Sequence, residues 1–201
     1  DFDPSGGTVR RGGFTCPACG TKFSIEDLAN RELGTVALVV IFRHADEQQR
    51  RYRLIDSRDM EVLEKAQTEY RKQGFGFLEQ PIPQGQSSFV SKYNLKEWKD
   101  IFTPRQALIL NAFATNLVNL HADILSATKD QAYATALVTY LALLIDRLAE
   151  RNNTLTGWSS IQGRITPIFA RQALSMNWLY PEANPFNEQV WSNLVHQSSS
   201  V

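Results

Sequence analysis

The stretch Cys16-Pro17-Ala18-Cys19-Gly20 constrains this chain more than any other, because it holds the only two cysteines in the sequence. Thiolates at this spacing both reach one tetrahedral ion, with Zn–S bonds of about 2.3 Å. Pro17 sets the turn, and Gly20 can take the positive φ that closes it. Such a knuckle supplies two of the four ligands of a closed zinc site. A redox pair is the competing reading, but it needs a βαβ setting that does not follow Cys19. Two cysteines cannot build a disulfide framework, so a reducing compartment, the cytoplasm, is expected.

The missing half of the site is the next question. The chain has three histidines, His44, His121 and His196. His44 follows an apolar run and can reach back toward the knuckle. The other two lie far along in helical patterns, where a histidine is more often an ordinary surface or core residue. The remaining ligands are therefore expected in sequence outside this chain. A zinc shared between two copies, or an empty reduced turn, stays open. Arg10, Arg11 and Lys22 flank the knuckle, where basic residues can contact phosphates or simply face water.

Composition sets the outer limits. A hydrophobic content of 43% supports a core, and the formal net charge of zero argues against a free-standing DNA-binding domain. No uninterrupted apolar run of spanning length occurs, so no membrane is expected. The first residues, Asp1-Phe2-Asp3, lack a Met and a signal-peptide pattern, so the chain reads as a piece of something longer.

Along the chain, Ser24-Ile25-Glu26-Asp27 reads as a capped helix start, with the helix stopping near Gly34. Thr35 to Arg43 is β-branched and is expected as a buried strand, paired in a hairpin with Arg51 to Ile55. On that second strand Arg51 and Arg53 share a face, and nearby Asp46, Glu47 and Asp56 suggest a neutralised edge. A helix is expected from Ser57 to about Gln73, with Val62, Leu63, Ala66 and Tyr70 as its stripe. The first hundred residues hold 30 charged residues and the remainder 12. A knuckle, hairpin and helix region over 1–80, a linker over 81–100 and a helical region over 101–201 follow from that break. Thr103-Pro104 starts a long amphipathic helix to about Ser126, and a second runs from about Lys129 to Arg151, antiparallel to the first. Thr166-Pro167 repeats the cap-plus-proline signal and predicts a third helix to about Leu174 or Ser175. A last one is expected from about Asn187 through Leu194. The class is α+β: a small knuckle and β-hairpin part, then a mainly helical part built on two long antiparallel helices.

Few residues carry chemistry beyond the cysteines. Arg164 and Arg171 lie among Trp158, Phe169 and Trp178, which suits either core packing of the aromatics or a stacking platform. The chain shows no P-loop, nucleophile elbow or paired-carboxylate site. Asn184-Pro185-Phe186 lacks the second proline of an Asp/Asn-Pro-Pro-Tyr/Phe amine clamp, and there is no Phe-x-Gly-x-Gly loop for S-adenosylmethionine.

Several stretches carry a resemblance in a fixed order. They are 7–13 with Cys16 to Gly20; Phe102-Thr103-Pro104-Arg105-Gln106; Asp146-Arg147-Leu148-Ala149 with Asn152-Asn153-Thr154-Leu155; and Phe169 to Ala173 with Glu182 to Phe186. Together they resemble a segment of the large bacterial and archaeal adenine-specific DNA methylases that contain a zinc ribbon, over about residues 7–187. The match is weak from Thr21 to Tyr93. The resemblance implies that the cofactor loop and the first cysteine pair lie upstream, and the catalytic motif downstream. The chain would then be a non-catalytic insert, inactive alone, in a parent that uses S-adenosylmethionine on DNA in restriction or phage defence. Zinc on Cys16 and Cys19 would be a half-site. Arg10, Arg11, Lys22, Arg164 and Arg171 would be the residues nearest nucleic acid. The other implied partners are DNA, through the parent, and the parent's other domains. The alternative is a structural or protein-interaction module that does not touch DNA.

Overall fold

A computed structural model describes residues 9–10, 12–29, 37, 39–42, 49–83, 90–159, 161–170, 173–187, 190–192 and 195. The fold is α+β, with small sheets at the N-terminal end and two long packed helices after them.

Three short antiparallel strands frame the cysteines: β1 (Val9–Arg10), β2 (Gly13–Thr15) and β3 (Lys22–Ser24), in the order β1-β2-β3. Phe14 stands directly opposite Phe23 in the register, and their rings stack with centroids 4.8 Å apart. Gly13 is required there, because a Cβ would collide with the Phe23 carbonyl. Helix α1 (Ile25–Ala29) follows at once. Its start is a reciprocal cap: Asp27 N–H donates to Ser24 Oγ at 3.1 Å, and Ser24 N–H donates to Asp27 Oδ2 at 2.8 Å. The rest of the helix expected to Gly34 lies outside the described residues.

The second sheet is the hairpin β4 (Val39–Phe42) and β5 (Arg51–Leu54), paired antiparallel as the pattern predicts. It is not a buried strand, however. Val39 is 47% exposed, Ile41 is exposed too, and all four β5 residues are exposed. A two-stranded ribbon covers neither of its own faces, so β-branching dictated the strand but not its burial. Helix α2 (Ser57–Tyr70) is capped by Asp56 and closed by a capping box with Asp59. Leu63, Ala66 and Tyr70 are half-buried, whereas Val62 is exposed.

Two residues of the stretch expected as a linker, Ile82 and Val90, are core, in a cluster with Ile101 and Leu155. Just before that stretch, Phe75 and Leu78 pack with Ala107. Helices α3 (Pro104–Thr128) and α4 (Gln131–Arg151) then run as the sequence predicts, joined through Lys129 at φ 57°. Leu110, Leu144 and Leu148 are their shared buried contact. The pair also leaves apolar side chains bare to solvent along its length: Val118 is 73% exposed, Tyr133 53% and Leu143 55%. Each helix holds an 18-residue window apolar enough to cross a bilayer by length and composition, although neither is an uninterrupted apolar run.

The helix expected from Thr166-Pro167 does not form. Thr166 ends a hairpin, β6 (Gly157–Ser159) with β7 (Arg164–Thr166), and only a single 3-10 turn follows over Ile168–Ala170. A residue before proline is pushed to extended geometry, which suits a strand end as well as a cap. The strand won because Thr166 is already paired with Gly157. Described residues 190–192 are helical, within the last helix expected, and 195, just past its expected end, is helical too. Its remaining residues lie outside the described set.

Candidate functional site

The cysteine turn has the geometry its sequence implies. Cys16 N–H donates to Thr21 O, and Gly20 N–H to Cys16 O, both at 2.9 Å, with Gly20 at φ 70°. The Cys19 thiol donates to Thr21 Oγ1 at 3.2 Å. The Thr21 hydroxyl is the main influence that holds the Cys19 thiol below its ordinary pKa; the Thr21 amide and the facing Cys16 thiol add to it. A Cys19 that ionises more easily is the better metal ligand. The two cysteines share one tight turn between β2 and β3, with Cys16 half-buried and Cys19 exposed, and thiolates at this spacing would supply half of a tetrahedral zinc set. No group of three or more metal-ligating residues occurs among the described residues. His121 is spoken for by the helix pair, with Nε2 at 3.4 Å from both Thr135 Oγ1 and Gln131 Nε2. His44 and His196 lie outside the described residues.

The basic candidates do not form one described surface. Lys22 is exposed on β3, beside a shallow concavity lined by Gly12, Thr15 and Phe23. Arg10 is on β1, and Arg11 and Arg171 fall outside the described residues. Arg164 is exposed on β7, its Nε donating to Gln162 Oε1 at 2.7 Å. The neighbouring aromatics are not core: Phe169 and Trp178 are exposed, and Trp178 meets Tyr93 edge-on at 5.7 Å. Arg50 lies over Trp158, 5.6 Å from the ring centroid, so the β4–β5 and β6–β7 hairpins meet through a cation–π contact. Arg53 is neutralised as expected. It holds Asp59 through two hydrogen bonds, at 2.6 and 2.9 Å. That pairing, helped by the Asp56 amide, lowers the Asp59 carboxyl to about 2.

The sequence did not disclose a buried polar node deep in the helical part. Gln106 and Asn153 are fully buried, and Asn152 nearly so. Thr103 and Gln106 cap each other at the start of α3: Gln106 N–H donates to Thr103 Oγ1 at 3.3 Å, and Thr103 N–H to Gln106 Oε1 at 2.9 Å. Gln106 Nε2 then donates to Asn152 Oδ1 at 3.2 Å, and the same oxygen accepts Ala183 N–H at 2.9 Å. Glu182 accepts from Thr103 Oγ1 at 3.2 Å and pairs with Arg105 Nε at 2.9 Å. Asn153 ends α4 by donating to Ala149 O and accepting from Leu155 N–H. Three chain segments, at 103–106, 152–153 and 182–183, therefore close on one node. The only sequence signals were the Thr-x-x-Gln box and the paired asparagines after a helix.

Asn184-Pro185-Phe186 is used for structure. Asn184 Oδ1 accepts Phe186 N–H at 3.0 Å, and Pro185 O accepts the Trp191 indole N–H. Its polar side chain is thus committed to its own turn. Comparison with protein-family models, curated proteins and solved structures finds no match to this chain.

Proposed function

We propose that this chain is the non-catalytic insert of an adenine-N6 DNA methyltransferase that uses S-adenosylmethionine, in a restriction-modification or phage-defence setting. The observation that supports the reading best is the half-built knuckle. Cys16 and Cys19 sit in one hydrogen-bonded turn between two paired strands, and no group of three or more metal-ligating residues occurs among the described residues. In the parent, zinc would join this sheet to another cysteine pair and fix the knuckle in place. The polar node adds support, because it joins three of the stretches that carry the resemblance. Lys22 and Arg164 would lend charge to the parent's DNA contacts, with Arg10, Arg11 and Arg171.

An electrophoretic shift with duplex DNA across a salt series tests the DNA role, alongside zinc analysis of the purified chain. The expected result is weak, salt-sensitive binding and less than one zinc per chain. Absence of binding at low salt overturns the DNA role. One tightly held zinc per isolated chain overturns the half-site.

A second reading is favoured by one specific observation. The exposed apolar side chains of the α3–α4 pair, Val118, Tyr133 and Leu143, suit docking onto another domain of the parent or a defence-system subunit. In that case the arginines are ordinary surface, and DNA binding is absent at every salt concentration.

A further inference from the structure

A cleft of about 570 Å³ opens between α3, α4 and the turn at Ile168–Ala170, well away from the cysteine knuckle in sequence. Three of its lining residues are alanines, Ala114 on α3 and Ala142 and Ala149 on α4, which occupy less of the space than larger side chains would. Leu110 and Ile145 contribute to the floor, with Trp98 and Phe102 beside them. The half-exposed rings of Phe77 and Phe169 also line it. This size and apolar lining match sites that enclose a small molecule.

The charge of the lining selects among such molecules. Asp146 and Glu150 are its only ionisable groups among the described residues, and no described Lys, Arg or His lines it. Glu150 is already paired with Arg147 at 2.8 Å. Asp146 is exposed and has no ion-pair partner among the described residues. An apolar body in the cleft therefore places its end beside a carboxylate that has no ion-pair partner among the described residues.

We propose that this cleft binds a small apolar molecule carrying one protonated nitrogen, its hydrocarbon or aromatic part between the alanines and its ammonium at Asp146. The proposal stands apart from the methylase reading, since it uses neither the cysteines nor the basic residues.

Three isosteric probes test it on the full chain: 4-phenylbutylamine, 4-phenylbutanol and 4-phenylbutyrate. Binding is read by calorimetry and by ligand-to-methyl nuclear Overhauser effects at Ile145 and Ile168. The amine is expected to bind about fivefold tighter than the alcohol, and the carboxylate weakest. Asp146→Asn should erase the preference for the amine and leave the alcohol unchanged. Ala114→Phe should weaken all three, and Asp146→Asn carries the test if that filled variant does not fold. No saturable binding by any probe overturns the proposal, as does equal binding of amine and alcohol to the wild-type chain. Equal binding would mark a plain apolar contact surface instead.

Discussion

Up to Tyr70 the described chain forms two sheets and two helices without burying a single residue, whereas from Phe75 onward it buries eleven hydrophobic side chains and five polar ones. The two regions are stabilised in different ways. The first relies on local devices: reciprocal caps at Ser24 and Asp56, the Phe14–Phe23 stack, and the Arg53–Asp59 clamp. The caps and the ring stack each contribute on the order of 1 kcal/mol, and the solvent-screened clamp adds little, which is small against the entropy of ordering the backbone. The second region has packed leucines and a polar node that joins three chain segments. A sheet with so little apolar burial would gain most from a metal bound at the two cysteines, because binding to the folded form adds directly to stability.

The sharpest test of this contrast is a pair of truncations. Leu148→Ala in the α3–α4 contact should cost about 2–5 kcal/mol in chemical denaturation followed by far-UV circular dichroism. Phe14→Ala should leave that helical transition in place and disturb only the knuckle resonances in NMR spectra. Equal effects on the helical transition would break the comparison. Next in size, Asn152→Leu removes the acceptor shared by Gln106 Nε2 and Ala183 N–H, leaving one buried and one part-buried donor unmatched. A loss of about 1–3 kcal/mol in the same denaturation experiment is expected.

The smallest effect concerns pH. The Asp59 carboxyl sits at about 2 when folded, below its unfolded value of about 3.9. Its contribution is therefore complete above about pH 4 and is lost as the pH falls through about 2. NMR titration of the Asp59 carboxyl should give that low midpoint in the wild-type chain. In Arg53→Ala the midpoint should rise toward the unfolded value, while the helical core stays unchanged.

Two threonine-proline pairs show how far the sequence could be read. Thr103-Pro104 opens a helix of 25 residues, and Thr166-Pro167 ends a strand. The difference lies three residues on from each threonine. Gln106 returns a hydrogen bond to the backbone of its cap, whereas Phe169 has no group that can do so and sits at φ −86°, ψ 16°. The lone cap signal was too weak to compete with the hairpin pairing of Thr166 and Gly157. The apolar run before Arg43 was legible as a strand, but its exposure was not, since burial depends on what packs against a strand rather than on its own pattern. At the candidate site, the cysteine spacing was enough to foresee the turn. The node at Asn152 was not foreseeable, because its members become neighbours only when segments 46 and 31 positions apart are folded together.

That node also decides where the polypeptide can be trimmed. A version ending short of Glu182 would strip Arg105 of its carboxylate and deprive Asn152 of the Ala183 amide, opening a hydrophilic hole beneath the first turn of the longest helix. Dissection of this protein into expressible pieces therefore has a floor near Trp191, whose indole fastens Pro185 and so secures the strand of chain that plugs the hole.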